Sequence, residues 1–195
     1  MHDYLKHKIK NQRFKAFVLM RNILAIMCLL LLVSAGMVRD YRQIDYDVNA
    51  KKQAIYIYNF SKYINWPEKY KDDKFIIGVL GNSHVEKELQ NLAATRKVYN
   101  QTLVIKHLDS PSEIEDFEIV YVGRDKADDI PEVIKKTKKY NTLVITDKPG
   151  SVYEGAGISF VVKENKIKFE LSKKNLEGRS LDVSSQLVNM AIIAE

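Results

Sequence analysis

Between Lys51 and Pro67 the apolar positions fall at helical intervals. Ala54, Ile57, Phe60 and Ile64 recur at steps of three and four, and Tyr56, Phe60 and Tyr63 make a second stripe beside them. This is the period of an amphipathic helix, and its apolar arc is wide enough that other elements must cover most of it. Each such side chain, once buried, contributes roughly 1.5–3 kcal/mol. Pro67 lacks a backbone N–H and disfavours a helical Trp66, so a helix starting at about Asp47 is predicted to end near Asn65. Lys74 to Leu80 (KFIIGVL) then reads as a buried strand closed by Gly81.

The same alternation continues along the chain. Ser83 and Glu86 have capping-box spacing and open a helix with Val85, Leu89, Leu92 and Ala93 on one face. Thr102 to Leu108 is a second strand, and Pro111 follows in a single helical turn. Glu118 to Val122 is a third strand, closed by Gly123. Pro131 suits the first turn of a helix running to about Tyr140. Asn141 to Thr146 is a fourth strand. After a loop from Asp147 to Gly157 that holds Pro149, Gly150, Gly155 and Gly157, Ile158 to Lys163 and Lys166 to Leu171 read as an antiparallel hairpin joined at Glu164-Asn165. A final helix runs from about Ser184 to Ile193. Helices alternating with short apolar strands predict an α/β three-layer sandwich. Its mostly parallel sheet has about six strands, with helices on both faces and the C-terminal β-hairpin at one edge.

The N-terminal pattern is different. Residues 1–22 are basic and polar apart from 16–20, and Ile23 to Val33 is unbroken apolar sequence. Val33-Ser34-Ala35 then places small residues where a signal peptidase would cut before Gly36. The expectation is a signal peptide over 1–35, a linker over 36–46 and a domain over 47–195, located in the periplasm. The alternative is an uncleaved anchor in the inner membrane: the uncharged run from Asn22 to Val38 sits at the short end of the roughly 17–25 residues that span a bilayer. Met27 before Cys28 argues against a lipoprotein signal. Cys28 is the single cysteine, so the domain is expected to stand without a disulfide.

Charge changes the picture once the N-terminal segment is set aside. The whole chain has 31 basic and 25 acidic side chains, a formal net charge of +6. Residues 1–35 hold six of the former and one of the latter. That leaves 31 less 6, or 25, basic and 25 less 1, or 24, acidic side chains for the rest. A near-neutral domain gives no ground for a nucleic-acid partner.

Candidate chemistry is sparse. Gly78 to Ser83 forms a glycine-containing strand-to-helix turn, but without the lysine or spacing of a phosphate loop it reads as a turn and cap. His84 and His107 fall in different elements with no ligand-pair spacing, so no metal site is expected. Ser184 and Ser185 lack a nucleophile elbow and read first as caps of the last helix. Lys135, Lys136, Lys138 and Lys139 suit the C-terminal end of their helix, where the dipole favours cations. Trp66 is the only tryptophan, a core residue or an interface anchor. No catalytic set and no cofactor are expected.

Two phrases carry a family resemblance. Tyr58, Asn59, Phe60, Lys62, Trp66 and Pro67, followed by Ile77, Gly78, Val79, Leu80 and Gly81, make up the first. Phe169-Glu170-Leu171-Ser172, then Leu181, Val183, Ser184, Ser185, Leu187, Val188, Met190 and Ala191, make up the second. Together they resemble the YfiR-like family of bacterial periplasmic regulators, over about Lys51 to Ala194. Ser180 replaces the usual glycine and Asp182 stands where a basic residue is common. The resemblance implies an exported, non-catalytic module that binds and restrains a membrane signalling protein, a YfiN-type diguanylate cyclase or a sensor kinase, and it is compatible with a homodimer. Trp66, Asp182, Ser184, Ser185 and Gln186 are the candidate partner- or ligand-binding residues. The alternative is a periplasmic small-ligand sensor working with a histidine kinase or transporter, its ligand held after Gly81 or Gly123 at the carboxyl ends of the strands.

Overall fold

The computed structural model describes residues 20–24, 26–27, 48–68, 73–81 and 84–194. The chain divides into two compact units, Met1–Tyr46 and Asp47–Glu195. In the first unit residues 20–24 and 26–27 are helical, and Met20, Ile23, Leu24, Ile26 and Met27 are exposed. Among the described residues no helix is long and apolar enough to cross a membrane. The cleavage motif, Cys28, the 36–46 linker and the Ser83 cap lie outside the described residues.

The second unit opens with helix α1 (48–63), which buries Ala50, Ala54, Ile57 and Phe60 as the period requires. Its elements then run β1 (Ile64–Asn65), β2 (Lys74–Leu80), α2 (His84–Ala93), β3 (Lys97–Val98), β4 (Gln101–Leu108) and β5 (Ile119–Val122). After these come α3 (Ile130–Thr137), β6 (Leu143–Thr146), β7 (Ile158–Lys163), β8 (Lys166–Leu171), α4 (Lys173–Glu177), β9 (Asp182–Val183), α5 (Ser185–Met190) and β10 (Ile192–Ile193).

The main sheet has the order β10-β8-β7-β6-β5-β2-β4-β3. Strands β4, β2, β5, β6 and β7 are mutually parallel, and β8 returns antiparallel to β7. The β7–β8 join has Glu164 and Asn165 at φ 54° and 55°, the left-handed pair of a tight two-residue hairpin. The sheet holds eight strands rather than about six, because two-residue strands were added at both edges. Strand β3 folds back on β4, and β10 lies outside β8, so the hairpin does not form the sheet's edge. The last helix accordingly stops at Met190 rather than Ile193: Ala191 is extended (φ −88°, ψ 157°) and Ile192–Ile193 pair with Glu170–Leu171.

Alternate residues of the same strands feed two apolar clusters, as the pleat demands. Phe75, Ile77, Val79, Ile119, Tyr121, Leu143 and Ile145 pack with Ile57 and Phe60 of α1 and Val85 and Leu89 of α2. Leu80, Val120, Val122 and Val144 pack with Ile130 and Val133 of α3. Both faces of the sheet are therefore covered, and the parallel strands are apolar on both sides.

Candidate functional site

Helix α1 also ends earlier than its sequence period suggests, and the reason places the site. Ile64 and Asn65 leave the helix to pair antiparallel with Val183 and Asp182 as a separate two-stranded sheet. This clasp joins the two ends of the domain. The Ser184 N–H donates to the Tyr63 carbonyl (3.0 Å), Asn65 Nδ2 donates to Asp182 Oδ2 (3.1 Å), and Gln186 Nε2 donates to the Tyr63 hydroxyl (3.3 Å). Burial of Ile64, Leu181 and Leu187, each 1% exposed or less, anchors both sides of the clasp in the core.

Each candidate residue has a definite place here. Ser184 caps α5, its side chain accepting from the Leu187 N–H (3.3 Å). Ser185 and Gln186 are exposed on the first turn of α5, and Asp182 is exposed on β9. Asp182 and Ser185 share a shallow pocket of about 290 Å³ with Lys173, Glu177 and Asn189. Trp66 is half-buried. Its indole N–H donates to the Ser61 carbonyl (3.0 Å) and its ring meets Phe75 edge-on at 5.2 Å. It lines a separate cleft of about 650 Å³ with Ile64, Asn65, Glu68, Tyr99, Asn100 and Gln101. Asp182, Ser184 and Gln186 thus come together through Tyr63 and Asn65, while Trp66, the next residue along, opens onto the second cleft.

Tyr63, Asn65 and Tyr99 are the site residues that sequence reasoning missed. Tyr63 and Asn65 lie inside the first family phrase, but their partners are more than a hundred residues away. Tyr99 carried no signal beyond an aromatic residue in a polar turn.

At the other candidate crevice, after Gly81 and Gly123, side chains lie close over Gly81. Strand order reverses here, with β4 on one side of β2 and β5 on the other, and the Gly123 N–H donates to the Leu80 carbonyl (2.9 Å). Gly81 has φ +108°, and a Cβ there would lie 2.7 Å from Asp125 Oδ1 and 3.0 Å from Lys126 Cγ. Those side chains cover the glycine. Nearby, Gln53 Nε2 donates to Asp147 Oδ1 (2.8 Å) and Arg124 donates to the Asp147 carbonyl (3.1 Å). Burial pushes the Asp147 carboxyl above its usual range, opposed by the Arg124 charge and the Gln53 hydrogen bond. Buried Arg179 donates to the Thr137 carbonyl (2.9 Å) and hydroxyl (3.1 Å), and burial lowers its pKa. Both contacts tie elements together. Among the described residues no group of three or more His, Cys, Asp or Glu side chains is arranged to hold a metal ion.

One histidine gives a pH prediction. His107 on β4 meets Glu86 of α2 through Nδ1 (2.7 Å) and Asp109 through Nε2 (3.3 Å). The Glu86 hydrogen bond and charge, helped by Asp109, hold its pKa above the ordinary 6.5. A folded-state pKa above the unfolded one means that the contact stabilises fully below the unfolded pKa, and that this is lost as pH rises through the folded one. In an NMR titration the His107 ring should show a midpoint above about 6.5. Glu86→Gln should bring it down towards that value; an unchanged midpoint would remove Glu86 as the cause.

A structure of a conserved domain protein from Vibrio cholerae O1 biovar eltor is 15% identical, with a TM-score of 0.48, covering 62% of this chain and 54% of that one. A structure of an ABC domain in complex with L-Trp from Streptococcus pneumonia is 13% identical, with a TM-score of 0.47, covering 61% and 54%. The chain spans about half the length of these solved structures. No curated protein matches it. The sequence profile of the family described as YfiR/HmsC-like matches residues 50–192.

Proposed function

We propose a regulatory role from kinship: this chain belongs to the YfiR/HmsC-like family, whose members are regulators rather than enzymes. It is an exported module that binds a membrane signalling protein, a diguanylate cyclase, and holds it in its inactive arrangement. The observation that carries the reading is the clasp. The two phrases behind the resemblance meet at β1 and β9, and they present Asp182, Ser185 and Gln186 together on an exposed corner. Restraint is then a population shift, because a regulator that binds the inactive state better draws the partner into it. Moving a partner from 1:99 to 99:1 takes about 5.5 kcal/mol of differential binding. The small-ligand alternative has less support at the strand ends, where Asp125 and Lys126 lie against Gly81.

Deleting the chain should raise cyclic di-GMP severalfold in the parent cell, and wild-type chain supplied in trans should lower it again. Gln186→Ala removes one exposed hydrogen bond to Tyr63, so stability should change by no more than about 0.5 kcal/mol. At equal abundance this variant should complement only in part. Unchanged cyclic di-GMP in the deletion strain would refute the cyclase reading. Full complementation by Gln186→Ala would move the contact surface away from α5.

A further inference from the structure

The turn between β3 and β4 carries a residue its geometry does not favour. Val98 pairs with Gln101, which leaves Tyr99-Asn100 as a two-residue turn, and Tyr99 takes φ +52° at its first position. Glycine holds such a position without strain and a bulky side chain does not. Yet Tyr99 is 66% exposed, so no gain in core packing offsets the strain. The ring is nonetheless fixed, because its hydroxyl donates to the Lys62 carbonyl at the end of α1 (2.8 Å). Strain kept at an exposed, immobilised aromatic points to use at that position.

Its surroundings are cationic. Lys62 Nζ lies 4.6 Å, and Arg96 Cζ 5.7 Å, from the centre of the Tyr58 ring, whose hydroxyl donates to the Lys97 carbonyl. Lys62, Arg96 and Lys97 are all exposed, and among the described residues none of them forms an ion pair. Residues 36–195 are otherwise balanced at 25 basic and 24 acidic side chains. On the other side of Tyr99 is the 650 Å³ cleft with Trp66 and Ile64 in its wall. Glu68 also lines that cleft, so a free anion is disfavoured inside it and an uncharged side chain is not.

We propose that this corner is a docking surface for an extended acidic segment of another protein. The segment's carboxylates meet Lys62, Arg96 and Lys97, and one apolar side chain enters the cleft between Trp66 and Tyr99. Rigid aromatic and arginine side chains beside a pocket are the composition of binding hot spots, and a pre-fixed ring loses little entropy on binding. Exposed cations add attraction that salt screens. The inference goes beyond the regulatory reading and stands without it.

The test uses the full chain in neutral detergent and a fluorescent peptide, Glu-Asp-Leu-Glu-Asp-Phe-Glu-Asp, followed by anisotropy. Wild type should bind at about 50 mM salt and release the peptide towards about 300 mM. The double variant Arg96→Glu, Lys97→Glu should weaken binding at least about tenfold. Tyr99→Gly relieves the turn, so its melting temperature should stay within about 4 °C of wild type while affinity falls. No salt-sensitive binding by wild type would overturn the proposal. So would wild-type affinity in both variants, or a loss of binding confined to a variant with Lys135 of α3, and Lys138 and Lys139 just beyond its end, changed to glutamate.

Discussion

Phe60→Ala should destabilise the domain by about 3–5 kcal/mol, with a fall in melting temperature on the order of 10 °C. Phe60 is fully buried at the centre of the α1 interface. Its ring meets Phe169 edge-on at 4.9 Å and stacks with Phe160 at 6.2 Å and Tyr56 at 6.1 Å. Removing it leaves a cavity under α1 and deletes aromatic pairs worth about 0.5–1.5 kcal/mol each beyond their burial. Ile55→Ala on the outer face of the same helix is the control. Its side chain is 43% exposed, and its loss should cost no more than about 0.5 kcal/mol. Urea unfolding followed by circular dichroism measures both. A Phe60→Ala cost below about 1 kcal/mol would mean that α1 does not dock through this ring.

The docking of α1 also explains which parts of the fold were legible in the chain. Strands β2, β7 and β8 fall where their apolar runs begin and end, because glycine and the Glu164-Asn165 turn bound them in the sequence itself. The two-residue strands β1, β3, β9 and β10 were not legible. Two residues have no period, and each pair exists only because tertiary packing brings its partner alongside. Ile64 shows the ambiguity: it continues the helical stripe of α1, yet its backbone belongs to β1.

The site divides in the same way. The cap by Ser184 follows from a local preference and was legible. Asp182 and Gln186 stood out through family resemblance, but the identity of their partners, Asn65 and Tyr63, depends on the clasp. Tyr99 was invisible because a left-handed turn normally announces itself by glycine or asparagine at that position.

Gly78→Val should cost about 3 kcal/mol, the upper end of the 1–3 kcal/mol typical of overpacking. Gly78 lies in β2, between Lys106 of β4 and Val120 of β5. Valine suits a strand better than glycine does, and Gly78 has no positive φ that would make a side chain strained. Local preference therefore predicts stabilisation. Packing predicts the reverse: a Cβ there would lie 2.9 Å from Leu108 Cδ1 and from Phe117 Cδ2, and 3.2 Å from Phe117 Cε2. Both neighbours are buried, Leu108 at 3% and Phe117 at 2% exposure, so neither can swing into solvent. The glycine in the family phrase is thus set by the side chains above it. If that is the cause, Phe117→Leu made together with Gly78→Val should cost less than the two single changes added, since residues in contact couple by about 0.5–3 kcal/mol. A Gly78→Val chain as stable as wild type in urea, or strict additivity of the pair, would show that the space over β2 is not what demands glycine.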